Sequence, residues 1–102
     1  MFKAMIMLTR GADMTHEDFK NWWLGEHQLL AKQLPGVRKI RFNVIAQDEN
    51  APCDGIAELW FDSHDAFTEA YSTEIGKAVA ADSIAHVSGR VRLFADEVQV
   101  LG

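Results

Sequence analysis

Cysteine and proline are scarce in this 102-residue chain, which carries one Cys and two Pro. A lone thiol closes no internal disulfide, and no Cys and His residues stand at zinc-site spacing, so cross-links and structural zinc are excluded as the source of stability. Cys53 lies among Pro52, Asp54 and Gly55, a turn sequence in which a surface thiol is expected rather than a nucleophile. Positive charge is also short. With a net charge of -5 and its Lys and Arg residues scattered, the chain offers no basic stripe, which argues against a nucleic-acid partner but not against a small acidic substrate. No apolar run is long enough for a membrane span. The opening MFKAMIMLTR is too short and too alternating for a signal peptide, and a cytoplasmic protein is expected. Phosphate-cradling glycine patterns are missing, and no Ser or Cys stands in a nucleophile elbow. A bound nucleotide and a Ser or Cys triad are therefore not expected. There is no internal repeat or low-complexity tract.

What is present is enough apolar residue, 48%, for one domain spanning residues 1–102 with one modest core. Phe2 to Thr9 reads as a strand apolar on both faces, with Phe2, Ala4, Ile6 and Leu8 opposite Met5 and Met7. Thr15 with Asp18 three residues on approximates a capping box, leaving His16 and Glu17 in a solvated first turn. The helix they start is expected to run to about Gln33, with Gly25 admitting a close neighbour, and to stop at Leu34-Pro35-Gly36. Val37 to Ala46 alternates as a strand, with Ile40, Phe42 and Val44 on one side and Lys39, Arg41 and Asn43 on the other. A polar loop over 47–54 leads into the strand Gly55 to Phe61, where Ile56, Glu58 and Trp60 face away from Ala57, Leu59 and Phe61. Ser63 caps a helix over 64–71; Ser72 and Thr73 break or restart it; and the continuation points Ile75, Val79 and Ile84 inward until Ser88 and Gly89 end it. The last strand runs from Arg90 to about Ala95, with Arg90, Arg92 and Phe94 on the face opposite Val91 and Leu93. Residues 97–101 extend it or add an edge strand.

The order βαββαβ is that of an α+β, ferredoxin-like sandwich with two helices on one sheet face. Strands apolar on both faces would expose a broad greasy surface in a monomer. A partner on the bare face is therefore expected, most economically a second copy across a twofold axis.

Within the first helix, Phe19, Trp22, Trp23, Leu30 and Leu34 recur three or four apart, and His27 falls in the same stripe. Such a histidine is either a core residue with satisfied ring nitrogens or a proton-transfer group in an apolar pocket, and the spacing does not choose between them. Asp82 and His86, four apart, read as a salt bridge near a helix C-terminus rather than as two metal ligands. His64 reads as a surface residue.

Several of these residues together resemble a known family. Phe19-x-x-Trp22-Trp23, Glu26-His27, Leu34-Pro35-Gly36-Val37, Asn43, Asp54-Gly55-x-Ala57-Glu58-Leu59-Trp60-Phe61-Asp62, and Asp82 are similar in order and spacing to the EthD-like proteins of the dimeric α/β-barrel superfamily. The resemblance implies a ferredoxin-like protomer whose sheet packs on a partner's to form a homodimeric barrel. It also implies a small-molecule cavity between sheet and helices, with His27 as the functional histidine. Leu29 stands where many relatives have proline, and Ile40 where they have an aromatic, so a substrate is not carried over.

On this reading His27 is the acid/base, a small hydrophobic ring or carbonyl compound sits among Phe19, Trp23, Phe42 and Trp60, and Asn43 and Glu58 orient substrate or histidine. No cofactor and no metal are invoked. Three functions follow: a cofactor-free isomerase, cyclase or oxygenase of a catabolic pathway; a ligand-binding accessory protein of a degradative oxidase system; or a haem-handling protein with His27 as axial ligand.

Overall fold

β1 (Phe2–Arg10) is the strand on which the sheet is built. In the computed structural model, which describes residues 1–102, it pairs antiparallel with β3 (Gly55–Phe61) on one side and β4 (Val87–Asp96) on the other. β2 (Lys39–Val44) completes the order β2-β3-β1-β4. This is the ferredoxin-like α+β arrangement. No helix is long and apolar enough to cross a membrane.

The register divides the sheet into two chemically distinct faces. Ala4, Ile6 and Leu8 of β1 stand with Leu59 and Ala57 of β3 and with Ile40 and Phe42 of β2. On the other face Lys3, Met5 and Met7 stand beside Trp60, Glu58 and Ile56, and beside Ala95, Leu93 and Val91. All helices cover the first face, where Ala4, Leu8, Leu59 and Phe61 are buried with Phe19, Trp23, Phe67 and Val79. Burying each large side chain contributes about 1.5–3 kcal/mol, which is what fixes the register, because a slip of one residue would exchange the two faces.

α1 (His16–Trp22) starts on a full capping box: Asp18 N–H donates to Thr15 Oγ1 and Thr15 N–H to Asp18 Oδ2, both at 3.0 Å. It does not run unbroken to Gln33. Gly25 leaves helical geometry (φ −94°, ψ −107°) and the chain widens into a π turn over Trp23–His27 before α2 (Gln28–Ala31). Gly25 therefore supplies a kink, not a close approach, since a Cβ there would meet nothing within 4 Å. The stop at Leu34-Pro35-Gly36 is as expected, with Gly36 at φ +77°, where a side chain would be strained.

Ser63 caps α3 (His64–Ser72) through a bond from Ala66 N–H, and Thr73 caps α4 (Glu74–His86) through Gly76 N–H, so the break at Ser72 and Thr73 is a restart. Ile84 is not inward; it is 66% exposed because Ser83, four residues after Val79, takes the buried position. Ser88 and Gly89 do not end the helix either. They belong to β4, since β-branched Val87 is already extended opposite Arg10 and Ser88 Oγ donates to the Arg10 carbonyl at 2.7 Å. Residues 97–101 form no strand. β4 ends at Asp96, and beyond it Glu97 N–H reaches the Met1 carbonyl at 3.0 Å.

The loop before β3 is more enclosed than its polar composition suggests. Asp54 is buried and accepts from Arg10 N–H at 2.9 Å, and its other oxygen lies 2.8 Å from His16 Nδ1. His16 is thus a latch between α1 and β3 rather than a solvated residue. Cys53, 4% exposed, is not a surface thiol, and its pKa is pushed up by burial and by the neighbouring Asp54.

Candidate functional site

The kink at Gly25 is what aims His27. A continuous α-helix would place it above Trp23; the π turn, a feature that recurs at functional sites, swings it toward α4. There Nδ1 lies 2.8 Å from Asp82 Oδ2, which also accepts from Trp22 Nε1–H at 3.1 Å. An indole nitrogen can only donate, so that oxygen is an acceptor and the proton of the His27 contact sits on Nδ1. The lone pair is left on Nε2, 3.4 Å from Ser83 Oγ. Burial holds the imidazole pKa below its ordinary 6.5 despite Asp82, so the ring is neutral at pH 7: a fixed tautomer whose basic Nε2 is engaged only by the long contact from Ser83 Oγ–H.

His86 plays a lesser part than its spacing from Asp82 suggests. Its Nδ1–H donates to the Asp82 backbone carbonyl at 2.7 Å, its distance to the carboxylate is 3.4 Å, and its ring stacks on Trp22. No group of three His, Cys, Asp or Glu side chains is arranged to hold a metal ion.

His27 and Ser83 border an enclosed cavity of about 20 Å³, floored by Ile6, Leu8, Ala57 and Leu59 of the sheet and walled by Trp23, Phe42, Tyr71 and Arg90. That is room for one water molecule. Trp23, fully buried, lies flat on Phe42 with ring centroids 4.3 Å apart. Gly55 lets it in, since a Cβ there would stand 2.5 Å from the indole. Phe42 also borders an open cleft of about 310 Å³ formed with Leu24, Gln28, Lys32 and Ile40 at the β2 edge. Two buried polar atoms lack partners, Trp23 Nε1 and Arg90 Nε, and both residues belong to this cavity. Burial raises the Tyr71 pKa and lowers that of Arg90.

Of the residues expected at one site, the structure brings together His27, Trp23 and Phe42. Phe19 lies one layer back, packed on Trp22 and Trp23 in the core. Asn43, Glu58 and Trp60 are on the other side of the sheet, because side chains alternate and Ala57 and Leu59 hold the inward positions. There Glu58 accepts from Lys3 Nζ at 2.8 Å and from Asn43 Nδ2 at 2.9 Å, and Trp60 Nε1–H donates to Glu97 at 2.9 Å. Glu58 therefore does not set the His27 tautomer; Asp82 does. His64 is on the surface as expected, stacked on Phe2.

Asp82 as the histidine's partner, and Ser83, Tyr71 and Arg90 as cavity walls, were not visible as a site in the sequence. Two signals bore on them: a serine at an inward position four after Val79, and an arginine on the inward parity of β4.

A small ferredoxin-like protomer with a helix-borne histidine over its sheet defines a class of α+β folds, and comparison places the chain within it. Residues 11–89 match the EthD domain family, and the chain belongs to that family. It superposes on an EthD family protein from Bacillus halodurans with a TM-score of 0.83 at 20% identity, covering 96% of this chain and 100% of that one. A dimeric ferredoxin-like protein of unknown function from Thermobifida fusca gives 0.75 at 13% identity, covering 92% and 88%. SnoaB, a cofactor-independent oxygenase from Streptomyces nogalater, gives 0.69 at 15% identity, covering 98% and 95%. No curated protein matches in sequence.

Proposed function

We propose that the protein is a cofactor-free proton-transfer enzyme acting on a small hydrophobic carbonyl compound. The carrying observation is the Asp82–His27 pair, which leaves a neutral Nε2 lone pair on the wall of a largely apolar cavity. In the reaction, Nε2 takes a proton from the carbon next to the carbonyl, the electron pair moves onto the carbonyl oxygen as an enolate, and Asp82 steadies the imidazolium. Return of the proton to a different carbon completes an isomerisation with no net loss or gain. Family membership and the likeness to a cofactor-independent oxygenase support this class of chemistry. An organic ligand needs a wall to move, because the cavity holds one water; Phe42, shared with the cleft at the β2 edge, is the side chain whose rotation joins the two spaces.

A haem-ligand role fits less well, since Nε2 faces a space far smaller than a porphyrin. The bare sheet face supports a homodimer: Val91 and Leu93 are 53% and 48% exposed in one protomer, beside Met5 and Met7, and a related fold is described as dimeric.

The test is hydrogen–deuterium exchange at the α-carbon of small ketones such as 2-tetralone and 1-indanone in heavy water, followed by proton NMR. Wild type accelerates exchange, and His27→Gln, which keeps a hydrogen-bonding group beside Asp82, loses it by about 100-fold or more. Equal exchange by a folded His27→Gln variant removes His27 from the mechanism. Ligand binding without exchange in wild type favours the accessory role.

A further inference from the structure

The two buried polar atoms left without partners at the cavity are both donors. Trp23 Nε1–H is fully buried and unpartnered, Arg90 Nε–H is buried and unpartnered, and Tyr71 and Ser83 add hydroxyls, while His27 Nε2 is the one side-chain nitrogen left to accept. Asp82, the carboxylate bonded to His27, has one oxygen on His27 and Trp22 and the other turned toward His86, so it does not serve Arg90.

Arg90 also differs from the other basic residues without a carboxylate partner in being partly buried. The protein has 15 acidic residues to 10 basic; Lys3, Arg10, Lys20 and Arg38 have carboxylate partners, and the remaining basic side chains other than Arg90 are exposed to solvent. Neither Arg90 nor Arg92 takes part in any ion pair or side-chain hydrogen bond. In β4 they lie opposite Leu8 and Ile6, which puts both on the helix-covered face. Arg92 borders an open cleft of about 350 Å³ at the β4 edge, and Tyr71 is common to that cleft and the cavity. A guanidinium half-buried without an anion, in a chain with carboxylates to spare, is a group held ready for one from outside.

We propose that the ligand is an organic carboxylate, its oxygens held by Arg90 and its hydrophobic part lying under His27 in the space that rotation of Phe42 opens, with Tyr71 and Arg92 lining the β4 side of the carboxylate end. This rests on the reading that the cavity takes a small organic ligand, but not on any proton transfer. Arg90 then positions the ligand and supplies the selectivity for charge that an apolar floor lacks.

The experiment compares matched pairs: benzoate with benzamide, cinnamate with cinnamamide, and 2-naphthoate with 2-naphthamide. Binding is read from quenching of tryptophan fluorescence, since Trp23 walls the cavity, and from the shift in Tm. In wild type at least one carboxylate binds tenfold or more tightly than its amide. Arg90→Gln removes that preference, and Arg90→Lys keeps part of it. Should Arg90→Gln fail to fold by circular dichroism, Arg90→Lys decides: a lowered carboxylate affinity with unchanged amide affinity supports the assignment. No carboxylate preferred over its amide in wild type, or a preference undiminished in folded Arg90 variants, overturns it. A preference that depends on Arg90 in a protein with no His27-dependent exchange keeps the carboxylate site and discards the catalytic reading.

Discussion

The two faces of the sheet carry the same kinds of residue to different ends. On the helix-covered face, aromatics close over a histidine whose proton is fixed by Asp82, and the unpaired groups are donors turned inward. On the bare face, Trp60, Lys3, Glu58 and Glu97 satisfy one another: Lys3 bonds both glutamates, and Trp60 donates to Glu97 while Lys3 and Lys39 sit over its ring. Trp23 and Trp60 are both buried, yet one has an idle indole N–H and the other does not. On the functions proposed above, the difference separates a surface to be covered by a second copy from a space to be filled by a ligand. Polar groups at a packing surface find partners within the chain, whereas those at a binding site remain unpaired until something arrives.

The largest expected effect tests that division through the two tryptophans. Trp23→Ala empties the centre of the core and is expected to cost about 3–5 kcal/mol in urea unfolding. Gly55→Ala, which drives a Cβ into the Trp23 ring, is expected to cost about 1–3 kcal/mol by overpacking. Trp60→Ala is expected to destabilise a dilute protomer less than Trp23→Ala and to weaken association instead. Equal losses for the two tryptophans, with no change in association, would mean the faces are not functionally distinct.

A smaller effect is expected from charge placed on the bare face. Leu93→Glu sets a carboxylate among Met5, Val91 and Leu93's other neighbours, and is expected to weaken self-association by about 2 kcal/mol or more, as for an interface anchor. Sedimentation velocity reads this directly, and the Tm of wild type, but not of the variant, should rise with protein concentration. A wild-type protein monomeric at high concentration contradicts the proposed homodimer.

Much of this was legible in the chain, and the illegible parts share a cause. Caps at Thr15 and Ser63, the stop at Pro35-Gly36 and the alternation in Gly55–Phe61 are local, so sequence period and turn chemistry carry them. The alternation even separated Glu58 and Trp60 from Leu59, but whether the histidine shares their side of the sheet is a tertiary fact. The Asp82–His27 bond spans 55 residues, and i,i+4 spacing pointed Asp82 at His86 instead. Gly25 read as admitting a close neighbour because a single glycine does not announce whether it does that or bends the helix. Arg90 read only as one parity of a strand, since its lack of a partner is a property of the assembled fold.

The smallest effect distinguishes the faces by titration. His27 has its folded pKa lowered by burial, so the unfolded chain binds its proton more readily, and stability falls as pH drops below the ordinary 6.5 toward the folded value. The groups facing it, Asp82, His86 and Arg90, modulate this without reversing its direction. Glu58 on the bare face also has a lowered pKa, caused by its bonds from Lys3 and Asn43; its stabilisation is present above the ordinary 4.5 and is lost as pH falls through the folded value. The two losses therefore begin at different pH, that of His27 below 6.5 and that of Glu58 below 4.5. Unfolding free energy measured from pH 7.5 to 3.5 should decline in two stages, with His27→Gln flattening the upper stage and Glu58→Gln the lower. Lys3→Met should act like Glu58→Gln, since it removes the main cause of the Glu58 shift. If His27→Gln leaves the upper stage intact, the imidazole is not the buried neutral base that the cavity requires, and the contrast between the faces loses its chemical basis.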